Sequence, residues 1–301
     1  MRKLLELTLF VALSASATAT ALPPKPTQTH DLTVLISDRP KRADGVSDDA
    51  WRQELAQVDL EVARRLNRRL QVAGARDVNA KPSKIGVIRV SARTAHDRGW
   101  AEAILSGKGE LEIRQVLDQG PLWDELASEL PVTAKLESDD PDHTYLWSED
   151  RDELITISQR IAMPGRTFHV VPSGGGWRLL WLGEVILSNK HIAKTSREQS
   201  NTGVSFAQVA LNSQGDRAWS SVERGAQFAV IVDQEAVATV RSPVVTGAPA
   251  SLAITCNGSW VAKSQQATCV DIVASRLAAP VPLTLTLYNK AATKAEPEKT
   301  P

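Results

Sequence analysis

Side chains able to do acid–base or metal chemistry are grouped most densely in one acidic segment of this chain. Residues 137–143 read Glu-Ser-Asp-Asp-Pro-Asp-His, which brings carboxylates and an imidazole close together in sequence. Such groups bind metal ions and act as general acids and bases. A calcium loop, however, needs alternating acids, a glycine at its sixth position and a distal glutamate, and this segment lacks that pattern. We interpret it as a solvated acidic turn, with a metal site as the alternative.

The remaining histidines and glycine runs favour structural roles. His169 lies in an apolar stretch and is interpreted as a core histidine, and His96 lies in a helix cap. The glycine run at 174–176 lacks the lysine and following helix of a phosphate cradle, so it predicts a turn. We find no Gly-x-Ser-x-Gly, His-Glu-x-x-His or dinucleotide motif, and we predict no catalytic, cofactor-binding or metal-binding residue and no cofactor. A Ser–His–Asp triad built from distant positions stays open.

The N-terminus has the layout of a secretory signal peptide. Arg2 and Lys3 give a charged start, residues 4–13 are mostly apolar, and residues 17–21 offer two Ala-x-Ala cleavage sites. The apolar run is shorter than the roughly 18 to 20 residues that a membrane span needs. We therefore predict a cleaved signal peptide over residues 1–21, a periplasmic location and no integral membrane anchor.

Because export is predicted, the two cysteines, Cys256 and Cys269, are expected to lie in an oxidising compartment. Disulfides persist in oxidising compartments, and neither cysteine belongs to a Cys-x-x-Cys motif or has a histidine close by in sequence. We predict a structural disulfide between them. Closing a loop this short would stabilise the fold by about 3 kcal/mol in the chain-entropy model.

Composition and charge exclude further classes of function. The chain has 301 residues, with 35 basic and 35 acidic side chains and a net charge of zero. Nucleic-acid binding needs a basic excess, so we expect no nucleic acid partner. The same balance argues against a polybasic membrane binder and an acidic solvating protein. The hydrophobic share of 42% is ordinary for a folded protein, and the length allows about two domains.

The first half of the chain alternates between strands and helices. Strands are predicted over residues 31–36, 85–90 and 110–115, with helices over 47–73 and from 94 to 107. This order is most of a ferredoxin-like α/β sandwich.

The long predicted helix carries a group of arginines in its last two turns. We interpret Arg64, Arg65, Arg68 and Arg69 as a basic surface face, since Asp59 and Glu61 lie one turn earlier.

The second half is richer in strands. A hairpin is predicted around residues 233–235, and the chain beyond residue 290 should be disordered because it consists of Lys, Ala, Thr, Glu and Pro. The other predicted strands cover residues 154–161, 168–171, 177–182, 204–211 and 282–288, and helices are predicted from residue 213 and over 268–278.

Several segments, read in order, resemble the large periplasmic domain of SecD, a subunit of the bacterial preprotein translocase. Each segment is short, and their shared order carries the resemblance. The segments are the arginine-rich helix ending at Gly74 with its following strand, residues 107–114, residues 203–215, residues 229–245, and residues 277–283.

The resemblance implies an α+β fold with a ferredoxin-like base subdomain and an inserted α+β head subdomain. The implied division is a signal peptide at 1–21, a Pro-rich linker at 22–30, a base at 31–117 completed by 279–289, an insertion of open assignment at 118–182, a head at 183–278 and a disordered tail at 290–301.

The implied function is periplasmic binding of unfolded or translocating polypeptide, or of a secretion or envelope partner. Phe206 and Trp219 could supply apolar pockets in the head, although core packing is the favoured role for both, and no peptide-binding residue is assigned. The family's transmembrane helices, with their Asp-Leu-Arg-Gly-Gly motif and proton-coupling acids, have no counterpart here, so no motor activity is implied. We expect a non-enzymatic protein; an exported metal-dependent hydrolase and a purely structural envelope component are the alternatives.

Overall fold

The computed structural model describes residues 27–118, 133–140, 143–161, 167–173, 175–223, 225–241, 251–256 and 263–288. The predicted signal peptide and C-terminal tail lie outside these residues.

Four antiparallel strands form what we call the base sheet, in the order β14-β1-β3-β2. The helices α1 and α2 follow β1 and β3 along the chain, which gives the strand order and connections of a ferredoxin-like sandwich. The predicted return of the last strand to this sheet is confirmed by its pairing with β1. The elements are β1 (Gln28–Ile36), α1 (Asp48–Val72), β2 (Arg76–Lys84), β3 (Val87–Thr94), α2 (Arg98–Leu105) and β14 (Leu285–Tyr288).

One face of the base sheet packs against α1 and α2. Alternate residues of β1 and β3, such as Val34 and Ile88, are fully buried against the apolar stripe of α1. Ser47 begins α1 by accepting a hydrogen bond from the Ala50 N–H, and Gly74 lies just beyond its end with a φ of 88°. These caps agree with the bounds that the sequence predicts for this helix.

The strand β2 was not predicted. Its sequence, Arg-Asp-Val-Asn-Ala-Lys-Pro-Ser-Lys, has little apolar alternation and contains Pro82. An edge strand tolerates both features, because one of its faces and one row of its backbone groups are solvated.

The remaining strands form two further sheets. A seven-stranded sheet has the order β12-β11-β4-β8-β6-β5, with β7 paired to β8, and a three-stranded sheet has the order β13-β10-β9. The seven strands are β4 (Leu111–Val116), β5 (Lys135–Asp140), β6 (His143–Ser148), β7 (Thr167–Ser173), β8 (Gly176–Ser188), β11 (Gln227–Val232) and β12 (Glu235–Arg241). The other three are β9 (Ile192–Gln199), β10 (Ser205–Leu211) and β13 (Ser251–Ile254).

Two details differ from the expected division of the chain. The strand β4, expected in the base, pairs with β8 and β11 in the seven-stranded sheet. The expected boundary at residues 182/183 falls inside β8, which continues without a break to Ser188. The α+β fold class with its ferredoxin-like base is confirmed, while the division into insertion and head stays a prediction.

The predicted strand at 154–161 is wrong, because this segment forms a helix, α3 (Arg151–Arg160). Asp150 begins the helix by accepting a hydrogen bond from the Asp152 N–H. Leu154 and Ile157 are then buried on one face, against β6 and β8. The helical spacing of these two residues outweighs the β-propensity of the Ile-Thr-Ile run.

The helix α5 (Lys263–Ala278) lies between the base and the three-stranded sheet. It packs against α1 and α2 on one side and against β9 and β10 on the other. Val273 and Leu277 of this helix lie in the same core as Trp219, which is 5% exposed and belongs to α4 (Ser213–Ser220). A disulfide joins Cys269 of α5 to Cys256. In the described part of the chain, no helix is long and apolar enough to cross a membrane.

The turn between β11 and β12 gives a first prediction. Gln234 has a φ of 70°, a left-handed conformation in which glycine is free of the steric penalty. We expect Gln234→Gly to raise the free energy of unfolding by about 0.5–1 kcal/mol, measured by urea denaturation. The control is Gln208→Gly in β10, where the same change should destabilise. A loss of stability in Gln234→Gly would contradict the turn geometry.

Candidate functional site: the junction clasp

The loop between α2 and β4 is held by the carboxylate of Asp233. This residue lies in the β11–β12 turn with a φ of 53°. Its Oδ1 accepts hydrogen bonds from the backbone N–H groups of Lys108, Gly109 and Glu110, at 3.1, 2.7 and 3.0 Å. The β11–β12 turn of the seven-stranded sheet is therefore hydrogen-bonded to the α2–β4 loop, through which the chain leaves the base.

Arg276 of α5 completes this connection. Its Nη1 lies 2.9 Å from the other oxygen of Asp233, and the side chains of Arg276 and Asp233 are only 14% and 13% exposed. Its Nη2 donates to the Ala103 carbonyl at 2.7 Å and to the Ser106 Oγ at 3.0 Å. One guanidinium thus ties the end of α2 to the turn between β11 and β12.

Arg69 approaches the same loop from α1 and is fully buried. Its guanidinium donates to the carbonyls of Ala279, Gly107 and Lys108, at 2.9, 2.9 and 3.0 Å. Burial and, to a smaller extent, the nearby Arg276 together lower the pKa of Arg69 to about 9, and Asp233 opposes the shift. The last carbonyls of a helix lack partners within that helix. At the end of α2 the Nη1 of Arg69 lies 3.4 and 3.3 Å from the carbonyl oxygens of Ile104 and Leu105 and donates to them. Its interpretation as part of a surface face is wrong.

Asn189 holds the far end of the loop. Its Nδ2 donates to the Gly109 carbonyl at 2.7 Å, and its Oδ1 accepts from the Leu111 N–H. It begins a short 3-10 helix, Asn189–His191, in which the Nδ1 of His191 accepts from the Ser188 N–H at 3.0 Å. We call Arg69, Asn189, Asp233 and Arg276, together with the loop at residues 106–110, the junction clasp.

The clasp requires glycine in its loop. Gly107 and Gly109 each have a φ of 76°. A Cβ at Gly109 would lie 2.3 Å from the Arg276 carbonyl oxygen, a distance at which one of the two backbones must move. The sequence Gly-Lys-Gly at this point is therefore a steric requirement of close packing.

The charged groups of the clasp connect parts of the fold to one another. The Asp233 carboxylate accepts hydrogen bonds from backbone N–H groups and from Arg276, and the two guanidinium groups donate to backbone carbonyls. An open cavity of about 430 Å³ lies beside the clasp, where Arg65, Lys108 and Lys190 face Glu110 and Glu112. Leu111, Pro280, Val281 and Pro282 add apolar surface to the same lining.

The predicted acidic segment, residues 137–143, lies in the β5–β6 hairpin and contains no residue of the clasp. Residues 141–142 and the side chains of Asp139, Asp140 and His143 lie outside what the structure describes, so the metal-site alternative stays open there. Among the described residues, no three His, Cys, Asp or Glu side chains come together as a metal site would need.

His169 and the predicted glycine turn both lie in the β7–β8 hairpin. Ser173 pairs with Gly176, so the glycine run joins two strands. His169 of β7 lines a cavity of about 300 Å³ with Glu112 and Ile231. Burial lowers the pKa of His169, Arg114 adds to the shift and Glu112 opposes it. The imidazole is therefore favoured in its neutral form.

Sequence reasoning missed the roles of Arg69, Asn189 and Arg276. The clasp joins four of the five segments that resemble SecD: the arginine-rich helix ending at Gly74, residues 107–114, residues 229–245 and residues 277–283. The order of these segments marked them as related, but nothing in the sequence indicated that they meet in space.

Comparisons with known proteins find structural likenesses only. No family model and no curated protein matches the chain. A crystal structure of SecDF in its Super-membrane-facing form matches with a TM-score of 0.45 and 12% identity, over 90% of this chain and 32% of that one. A structure of SecDF, a membrane component that enhances protein export, matches with a TM-score of 0.44 and 12% identity, over 86% of this chain and 98% of that one.

A third match is SecDF from Thermus thermophilus, a translocon-associated membrane protein, with a TM-score of 0.30 and 16% identity, over 85% of this chain and 30% of that one. This chain thus spans about a third of the first and third structures. All three are SecDF structures, the same family that the sequence segments resemble. Likenesses at these scores and identities assign neither activity nor partner to this chain.

The clasp predicts a large effect for Arg69. Arg69→Met would leave several buried carbonyls without a donor, and each unsatisfied group costs about 1–3 kcal/mol. We expect the free energy of unfolding to fall by about 3 kcal/mol or more in chemical denaturation. The matched control is Arg68→Met, one position earlier and exposed, which should change stability by less than about 0.5 kcal/mol. Equal effects of the two changes would contradict the assigned role of Arg69.

His191 predicts a dependence of stability on pH. Burial lowers its pKa below the ordinary 6.5, with Lys190 adding to the shift, and its Nδ1 is occupied as an acceptor. The unfolded chain therefore takes up a proton at a higher pH than the folded chain does. The stability that neutral His191 gives is present above about pH 6.5 and is lost as the pH falls below it.

The check is thermal or urea denaturation of the wild type and His191→Gln between about pH 7.5 and pH 5. We expect a shallower loss of stability on acidification in the variant. His169 should supply a residual loss in both proteins, since its pKa is lowered too. An identical pH dependence in the two proteins would contradict this assignment.

Proposed function

We propose that this chain is a SecD-like periplasmic protein that binds unfolded or translocating polypeptide by strand addition at the free edge of β12, with no motor activity of its own. The observation that carries this proposal is the composition of β12. Strand addition supplies backbone hydrogen bonds that are independent of the partner's side chains, as binding of varied unfolded chains requires.

The edge strand β12 lacks the usual protection against pairing. Within the described residues it pairs with β11 alone. Between Glu235 and Arg241 its sequence is Ala-Val-Ala-Thr-Val, with no charge and no proline. An edge of this length and composition is a template for another strand.

The other described edges are protected in the ways that natural sheets use. β7 contains Pro172, and β2 contains Pro82 with lysines on either side. β13 and β14 are four residues long. β5 and β9 carry charges, which are Lys135 and Glu137 in β5 and Lys194, Arg197 and Glu198 in β9.

The clasp supports the proposal by fixing the start of β12. Asp233 and Gln234 form the turn that leads into the strand, and the Asp233 side chain is bound to the α2–β4 loop and to Arg276. An edge that is already held in place loses little conformational entropy when it binds a partner.

Of the two aromatic residues considered for binding, Trp219 is in the core. Its ring packs against Phe228 with 4.9 Å between the centroids, and it is 5% exposed. Phe206 is half-buried on β10. Neither residue is part of the proposed edge.

The test is a titration of the purified protein with an unfolded exported polypeptide and with extended peptides, followed by fluorescence anisotropy. We expect saturable binding, and Thr239→Lys, which places a charge on the β12 edge, should weaken it by about tenfold or more. The matched control is Ser196→Lys on β9, an edge that is already charged, and it should bind as the wild type does.

Two outcomes would overturn the proposal. One is the absence of saturable binding at high micromolar concentration, and the other is equal binding by wild type and Thr239→Lys. Binding of a folded envelope protein without any binding of unfolded chains would favour the structural-component alternative. A bound metal of fixed stoichiometry would favour the hydrolase alternative.

A further inference from the structure

The outer face of the base sheet, opposite α1 and α2, carries a concentration of positive charge. Alternation along the strands places Ala80, Ile88 and Val90 in the core, so their neighbours Lys81 and Arg89 point to the outer face. Both are exposed. Lys84, Arg93 and Arg76 lie near them on β2 and β3 and are exposed as well.

The register of β2 and β3 sets like charges directly opposite each other. Lys81 is paired with Arg89, and Arg76 is paired with Arg93. Like charges at directly opposite positions destabilise a sheet. This protein has as many acids as bases, yet its β2–β3 pairing contains two such pairs. The arrangement costs folding free energy, which points to a use outside folding.

Few carboxylates offset these cations. Asp31 lies on the same face of β1, and Asp77 lies 3.9 Å from Arg93. Within the described residues, Lys81 and Arg89 have no ion-pair partner. The face therefore presents cations that remain available to an anionic partner.

A shallow cavity of about 750 Å³ lies on this face. Lys81, Arg89 and Arg98 border it together with one carboxylate, Asp31, and Arg98 also pairs with Glu102 of its own helix. Thr33, Ser83 and Ser91 add hydroxyl groups to the lining. Guanidinium, ammonium and hydroxyl donors together are the groups that bind phosphate oxygens.

Exposed apolar side chains flank the cations. Ile85 is 50% exposed in the turn between β2 and β3, next to Lys84. Tyr288 is 43% exposed and stands at the end of the row formed by Lys81, Arg89 and Thr33 across the four strands. Cations beside exposed aliphatic and aromatic side chains suit the interface of an anionic bilayer, where the charges meet headgroups and the apolar groups enter the acyl boundary.

We propose that the outer face of the base sheet binds the surface of a bilayer that contains anionic phospholipid, with Lys81 and Arg89 contacting headgroup phosphates. A partner bound by charge alone would gain no binding free energy from contact with the exposed Ile85 beside Lys84. The interaction is peripheral and reversible, since each cation near an anionic surface contributes about 1 kcal/mol. It is independent of the β12 edge and of the proposed function.

The experiment is vesicle flotation of the purified protein at low salt. One set of vesicles contains phosphatidylglycerol and the other is pure phosphatidylcholine. We expect binding to the first set alone, weakened by added salt. The double variant Lys81→Gln/Arg89→Gln should bind about 30-fold more weakly, from the loss of two cations. Its melting temperature should not fall, because a repulsive pair has been removed.

The matched control is Arg64→Gln/Arg68→Gln, which removes the same charge from the exposed face of α1 and should bind as the wild type does. Ile85→Ser keeps the charge and should also weaken binding. Absence of binding to phosphatidylglycerol vesicles, equal binding to neutral vesicles, or equal loss in the two double variants would each overturn the proposal. So would binding to polyglutamate or an oligonucleotide, lost in Lys81→Gln/Arg89→Gln, without binding to vesicles.

Discussion

The carboxylate of Asp233 is the contact on which the connection between the base and the other sheets depends. It takes three backbone N–H groups of the α2–β4 loop on one oxygen and the Arg276 guanidinium on the other. Because Arg276 also holds the end of α2, the base, the central helix α5 and the β11–β12 turn are fixed relative to one another at a single point.

Arg69 makes the folded state sensitive to any change at this junction. A fully buried guanidinium is tolerated because carbonyl oxygens surround it, and the lowered pKa records the price of burial. The carbonyls at the end of α2 in turn depend on Arg69, since the helix cannot satisfy them. A rigid junction of this kind suits a protein whose proposed work is to present a preformed strand edge rather than to move.

The net charge of the chain does not show where its charged side chains lie on the surface. A net charge of zero argued against a membrane-binding surface, and for the whole molecule that average holds. Strand register, however, gathers cations of β2 and β3 on one face of the base sheet. Composition cannot contain this information, because it depends on which residues alternate outward and which strands lie side by side.

Local patterns in the sequence determined much of the fold: the long helix from Ser47 to its Gly74 end, most of the strands and the β11–β12 hairpin. The return of the last strand to the base was implied by the resemblance to SecD. Patterns failed where tertiary contacts overrode propensity, as for the helix α3, or where an edge strand needed no apolar alternation, as for β2. Only the tertiary structure decided that β4 leaves the base, that Arg69 is buried, and that Arg69, Asn189, Asp233 and Arg276 meet around one loop. The physical reason is that hydrogen bonds between residues more than a hundred positions apart depend on how the sheets pack, and no local pattern records that packing.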